Sequence, residues 1–108
     1  MNNKEMQAEL KKAGREIPHP GEVLEELFHE GFKFEDVAKD TGLGKEKLRS
    51  IYDGTVKIDT EIAYILGYYN GSTSGNFLNL QSNFEIQFIR FCKPDILKGI
   101  KKRNVKFG

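Results

Sequence analysis

With 108 residues the chain has room for one hydrophobic core and not for two. Hydrophobic residues make up 38% and charged residues 31%, which excludes a disordered polyelectrolyte. Net charge is only +1, but it is segregated: residues 93–108 carry six basic side chains against Asp95, a net of +5, and the rest of the chain sums to −4.

The opening Met1-Asn2-Asn3-Lys4-Glu5 has no apolar run, so no signal peptide is expected. The longest uncharged stretch, Ile62 to Phe84, is broken by Gly67 and by the cluster at 70–75, so no transmembrane helix is expected either. A single cysteine, Cys92, excludes an internal disulfide and cannot alone form a multi-thiolate metal site. A cytoplasmic setting without a cofactor is the expectation.

Residues 1–16 read as a polar, helix-prone arm, frayed or partly docked, with Met6, Leu10 and Ala13 as anchors. A first helix starts at His19-Pro20-Gly21-Glu22, where proline fits the first turn and Glu22, Glu25 and Glu26 favour the positive helix end. Val23, Leu24, Leu27 and Phe28 form its buried stripe, and Gly31 supplies a left-handed stop. His19 and His29 stand ten residues apart with no companion ligands, so capping and surface roles are expected rather than metal binding. Phe34, Val37 and Ala38 mark a short second helix ending at Asp40. The turn Thr41-Gly42-Leu43-Gly44 follows, and then a helix from Lys45 to Tyr52 burying Leu48 and Ile51, closed by Asp53-Gly54.

Two short helices around a glycine turn with an apolar corner residue form a helix-turn-helix pattern. Its second helix exposes Lys45, Glu46, Lys47, Arg49 and Ser50, residue types that meet phosphates and base edges when such a helix enters a major groove. Lys45, Lys47, Arg49 and Ser50 are therefore candidate DNA contacts, with Thr55 and Lys57 holding the backbone just beyond. The same pattern also fits an αα-hairpin whose charged face is merely solvated. Arg49 has a second reading of its own, on the rim against the preceding helix.

Asp59-Thr60 offers N-caps for a fourth helix with Ile62, Ile65, Leu66 and Tyr69 at helical spacing. After the loop Asn70-Gly71-Ser72-Thr73-Ser74-Gly75, with Ser74 as a cap, a fifth helix runs from about Asn76 to Phe91 or Cys92. Its apolar residues exceed one stripe. Leu80, Phe84, Phe88 and Phe91 are accordingly assigned to a dimer interface, because five helices offer too little surface to bury all the apolar residues; the other reading is that this stripe simply closes the core. Ile96, Leu97, Ile100, Val105 and Phe107 interleave with the basic charges after Lys93-Pro94, a pattern too apolar for a purely solvated tail. A DNA-phosphate arm is one reading and a segment contacting a protein partner another; the tail is expected to contribute to DNA binding or remain free.

His19-Pro20-Gly21-Glu22-Val23-Leu24, the turn Gly42-Leu43-Gly44, the Leu48–Ile51 run, Asp53-Gly54 and Asn76-Phe77-Leu78-Asn79-Leu80-Gln81 together resemble the HigA/VapI antitoxin family. This is the plasmid-maintenance antidote branch of the lambda-repressor-like (Xre) helix-turn-helix group. The resemblance spans about residues 17–90. This chain has Gly44 where the family usually has serine, Asp53 for asparagine, Asn76-Phe77 for Phe-Trp, and Ala63-Tyr64-Ile65 for an Ala-Arg-Leu type run.

The resemblance implies an all-α, five-helix, lambda-repressor-like domain over residues 17–92. It implies a homodimer that binds double-stranded operator DNA in its own promoter, represses its operon and neutralises a RelE/HigB-like mRNA-cleaving toxin. No catalysis is implied, and the sequence offers no nucleophile–base pair or phosphate-cradling loop. A solitary Xre-type repressor without a toxin is the nearest alternative, and a protein-interaction domain without DNA binding is the alternative from another class. Such toxins are usually basic, so the glutamates Glu22, Glu25, Glu26 and Glu30 are the expected toxin-facing charges rather than the basic tail.

Overall fold

The computed structural model describes residues 1–27 and 33–103. Phe28, His29, Glu30 and the stop at Gly31 lie outside the described residues, as do Val105, Lys106 and Phe107. Among the described residues the protein is all-α, with six α-helices, two short 3-10 turns and no strand. None of these helices is long and apolar enough to cross a membrane.

Helix α1 (Asn3–Lys12) replaces the expected arm and makes the count six rather than five. Its ends are fixed locally. The Asn2 side chain accepts from the Glu5 N–H (2.8 Å) while the Glu5 carboxylate accepts from the Asn2 N–H (2.9 Å), a reciprocal capping box. At the other end Gly14 (φ +79°) turns the chain left-handed, and the Arg15 N–H reaches back to the Leu10 carbonyl. Asn3, Met6 and Leu10 lie on one face and are buried.

Helix α2 (Pro20–Val23) is a single turn continued by a 3-10 turn, Leu24–Leu27. Helix α3 (Phe34–Asp40) and helix α4 (Lys45–Asp53) flank the turn 41–44. That turn needs its glycines: Gly42 and Gly44 sit at φ +74° and +85°, and the Gly44 N–H donates to the Ala38 carbonyl. Leu43 packs against the main core from the corner, and Gly54 ends α4 in the left-handed region. Helix α5 (Thr60–Tyr69) is capped by Asp59, whose carboxylate accepts from the Ile62 N–H at 2.8 Å. Helix α6 (Ser74–Cys92) starts earlier than expected, with Thr73 rather than Ser74 at the cap position.

Two apolar clusters hold these helices. The main core gathers Leu24, Val37, Ala38, Leu48, Ile51, Ile58, Ile62, Ala63, Leu66 and Phe77. A second cluster joins Met6 and Leu10 of α1 to Phe84 and Phe88 of α6. Here the sequence reading needs correction. Phe84 and Phe88 are only 4% and 6% exposed within a single chain, because α1 covers the stripe assigned to a second subunit. Treating residues 1–16 as an arm removed the helix that buries these rings. Leu80 packs at the edge of the main core, and Phe91 packs at the edge of the second cluster beneath Arg15, whose guanidinium lies 4.2 Å from the ring centroid.

A buried polar hub links the two clusters. Gln81 and Asn3 exchange side-chain hydrogen bonds (2.9 and 2.7 Å), and the Gln81 carbonyl oxygen also accepts from the Ile58 N–H at 3.0 Å. Nearby, the Lys4 N–H donates to the Gly54 carbonyl at 3.0 Å, tying the start of α1 to the end of α4.

Candidate nucleic-acid interface

Helix α4 buries Leu48 and Ile51 on one side, which turns Lys45, Glu46, Lys47, Arg49 and Asp53 outward and leaves Ser50 half-exposed. Positions three and four apart share a face of a helix, and that rule sorts the candidates. Lys45, Arg49 and Tyr52 form a stripe that leans on α3. Lys45 Nζ is 3.9 Å from the Glu35 carboxylate, and the Arg49 guanidinium lies 4.8 Å from the Phe34 ring centroid. Tyr52 meets Phe34 edge-on at 5.6 Å. Arg49 therefore takes the rim position, with its outer edge still exposed. The Lys45–Glu35 pair is highly exposed, so it holds Lys45 only weakly.

Lys47 is exposed on the opposite flank and makes no ion pair among the described residues. Between the two flanks lie Glu46, Ser50 and Asp53, so the outermost strip of α4 is acidic and polar with cations on both sides. The Ser50 hydroxyl donates to the Glu46 carbonyl at 2.9 Å, and the Thr55 hydroxyl donates to the Ser50 carbonyl at 3.1 Å, closing the end of the helix. Lys57 is taken up elsewhere. Its ammonium is 3.0 Å from Glu85 on α6, half-buried, beside the Gln81 hub, so it faces away from the α4 cations.

The end of α4 is held from beneath by α2. A Cβ at Gly21 would collide with the carbonyls of Ile51 and Tyr52, so only glycine lets these elements approach so closely. His19 caps α2 as expected, its Nδ1 accepting from the Gly21 N–H at 2.9 Å, but it is buried rather than at the surface. Burial lowers its pKa, against the opposing pull of Glu22 and Asp53. Glu22 is spent on the same structure, accepting from the His19 N–H and from the Gln7 side chain.

Neither Gln81 nor Asn3 was singled out for a structural role by sequence reasoning. The one available signal is Gln81 as the last residue of the Leu-Asn-Leu-Gln motif, four residues after Phe77 and three before Phe84 and so on the buried stripe of its helix. No group of three or more metal-ligating side chains forms among the described residues. Comparison with family models, with curated proteins and with solved structures finds no match for this chain.

Proposed function

We propose that this chain is a DNA-binding antitoxin of the cytoplasm that represses its own operon and neutralises a RelE/HigB-like mRNA-cleaving toxin, without catalytic activity of its own. The observation that carries the DNA half is the pairing of α3 and α4 around the turn 41–44, with Lys47 on one flank of an exposed α4 and Lys45 and Arg49 on the other. Read as a lambda-repressor-like helix-turn-helix, α4 is the helix that enters the major groove. Its flanking cations then reach the two phosphate walls, while Ser50 and Glu46 face the base edges.

The motifs of the family resemblance support this reading through their physical roles. Gly21 of the His-Pro-Gly-Glu opening permits the close support of α4, and Gln81 of the closing motif anchors the segment after it. Dimerisation remains part of the proposal, since a two-fold pair spaces recognition helices by about 34 Å. Its interface must use surface other than Phe84 and Phe88. Residues of the last turns that remain exposed, among them Ile86, Ile96 and Leu97, offer apolar area for it.

A protein-interaction domain without DNA binding is the second reading, favoured by Glu46 and Asp53 on the outward strip of α4. A mobility shift with the DNA upstream of the chain's own gene, run at two salt concentrations, separates the two. Operator binding gives a saturable complex that weakens steeply with salt; absence of any complex at low salt eliminates the DNA reading. Co-expression with the neighbouring gene and a pull-down separate an antitoxin from a solitary repressor.

A further inference from the structure

Between α3 and α5 lies an open hollow of about 430 Å³ lined by Asp40, Thr41, Tyr64, Ile65, Tyr68 and Tyr69. Tyr64 and Tyr68 stand one turn apart on α5 and are 69% and 86% exposed, an unusual cost for two large rings in a domain this small. The Asp40 carboxylate accepts a hydrogen bond from the Tyr69 hydroxyl at 3.3 Å. Burial, and secondarily Asp40 and Asp36 nearby, holds the Tyr69 phenol above its ordinary range.

No lining residue is basic: the sequence has no lysine or arginine between Lys57 and Arg90, so α5 cannot supply one, and Lys39 of α3, next to Asp40 in sequence, is not part of the lining. Elsewhere the chain matches its aromatic rings with its own cations: Arg15 over Phe91, Arg49 over Phe34 and Lys93 over Phe88. Among the described residues, Tyr64 and Tyr68 have the ring faces and the adjacent carboxylate without such a cation.

We infer that this hollow receives an arginine side chain from a basic partner protein, stacked against Tyr64 and Tyr68 with its guanidinium turned toward Asp40. Arginine fits better than lysine because its planar fork can stack on a ring and meet a carboxylate at once, whereas an ammonium is a compact, strongly hydrated point charge. The partner is thus a protein with arginines on its contact surface, and the complementary surface lies between Asp40 of α3 and the rings of α5 rather than at Glu22 of α2, which is already engaged. The inference deepens the partner half of the proposed function, on which its biological sense rests, while its chemistry is tested without DNA.

The test titrates the full chain with a capped tetra-arginine peptide, followed by NMR of the tyrosine rings and backbone amides. Saturable shifts centred on Tyr64, Tyr68 and Asp40 are expected, weaker with tetra-lysine and absent with tetra-glutamate. Because both rings are at the surface, Tyr64→Ala with Tyr68→Ala leaves the fold intact and is expected to weaken binding roughly tenfold. The Tyr64→Phe, Tyr68→Phe pair keeps the ring faces and the binding. Shifts centred on the glutamates of residues 16–26, equal affinity of the double-alanine variant, or no shifts at all would overturn the assignment. The double-alanine variant is expected to shift its own upstream DNA as the wild type does, so failure of the DNA reading leaves the peptide result standing, and the reverse.

Discussion

Gln81 and Asn3 pair through their side-chain carboxamides across 78 residues of sequence, and both are buried. The pair fixes the register of α1 on α6, and through Ile58 it also fixes the start of α5. Every partner in the hub matters because a buried amide left unsatisfied keeps its full desolvation cost. Asn3→Ala is expected to lower unfolding stability by about 1–3 kcal/mol, measured by urea denaturation. An unchanged midpoint would mean that water replaces Asn3 at no cost and that α1 is not held by this pair.

The apolar half of the same contact gives a second expectation. Leu10→Ala removes a fully buried side chain from the cluster that holds Phe84 and Phe88 and should cost about 2–5 kcal/mol. Because these rings are covered by α1 in the same chain, Phe84→Ala should destabilise by a similar amount at every protein concentration. A loss of stability that appears only at low concentration would return Phe84 to a subunit interface.

His19 makes a prediction about pH. Its folded pKa lies below the ordinary 6.5, because burial disfavours the charged ring. Protonation also removes the Nδ1 lone pair that accepts from Gly21. The unfolded chain therefore binds the proton more readily, so this contribution is fully present above about pH 6.5 and is lost as pH falls from there through the folded pKa. His19→Asn keeps a capping acceptor that does not titrate. The stability difference between wild type and this variant should shrink or reverse between pH 7.5 and 5.5 in buffered thermal melts; a difference independent of pH would rule out His19 as the titrating group.

For DNA, the flanking geometry ranks the cations of α4. Lys47 is exposed and makes no ion pair among the described residues, while Arg49 is already stacked on Phe34. Lys47→Ala should reduce the salt slope of operator binding by about one unit, the value for one phosphate contact. Lys57→Ala should leave that slope unchanged, since its ammonium serves Glu85, and should act on stability instead. If Lys57→Ala lowers the slope while Lys47→Ala does not, the orientation of α4 on DNA is the reverse of that proposed.

The sequence alone determined the elements whose signals are local. The bounds of α3, α4 and α5 follow from the glycines at 42, 44 and 54 and from the cap at Asp59, each acting within a few residues of itself. The spacing of Val37, Ala38, Leu48, Ile51, Ile62 and Leu66 marked most of the main core for the same reason. Only the tertiary structure decided which surface covers which. An apolar stripe on α6 does not say whether α1 or another subunit will bury it, and a polar segment with three apolar anchors gives little sign that it will do so. The fates of Lys57, Arg49 and His19 depend likewise on Glu85, Phe34 and Gly54 at the end of α4, residues brought near by packing rather than by sequence. A side chain's chemistry is inherited from its type, but its charge partner, burial and reach are set by neighbours that the chain supplies from a distance.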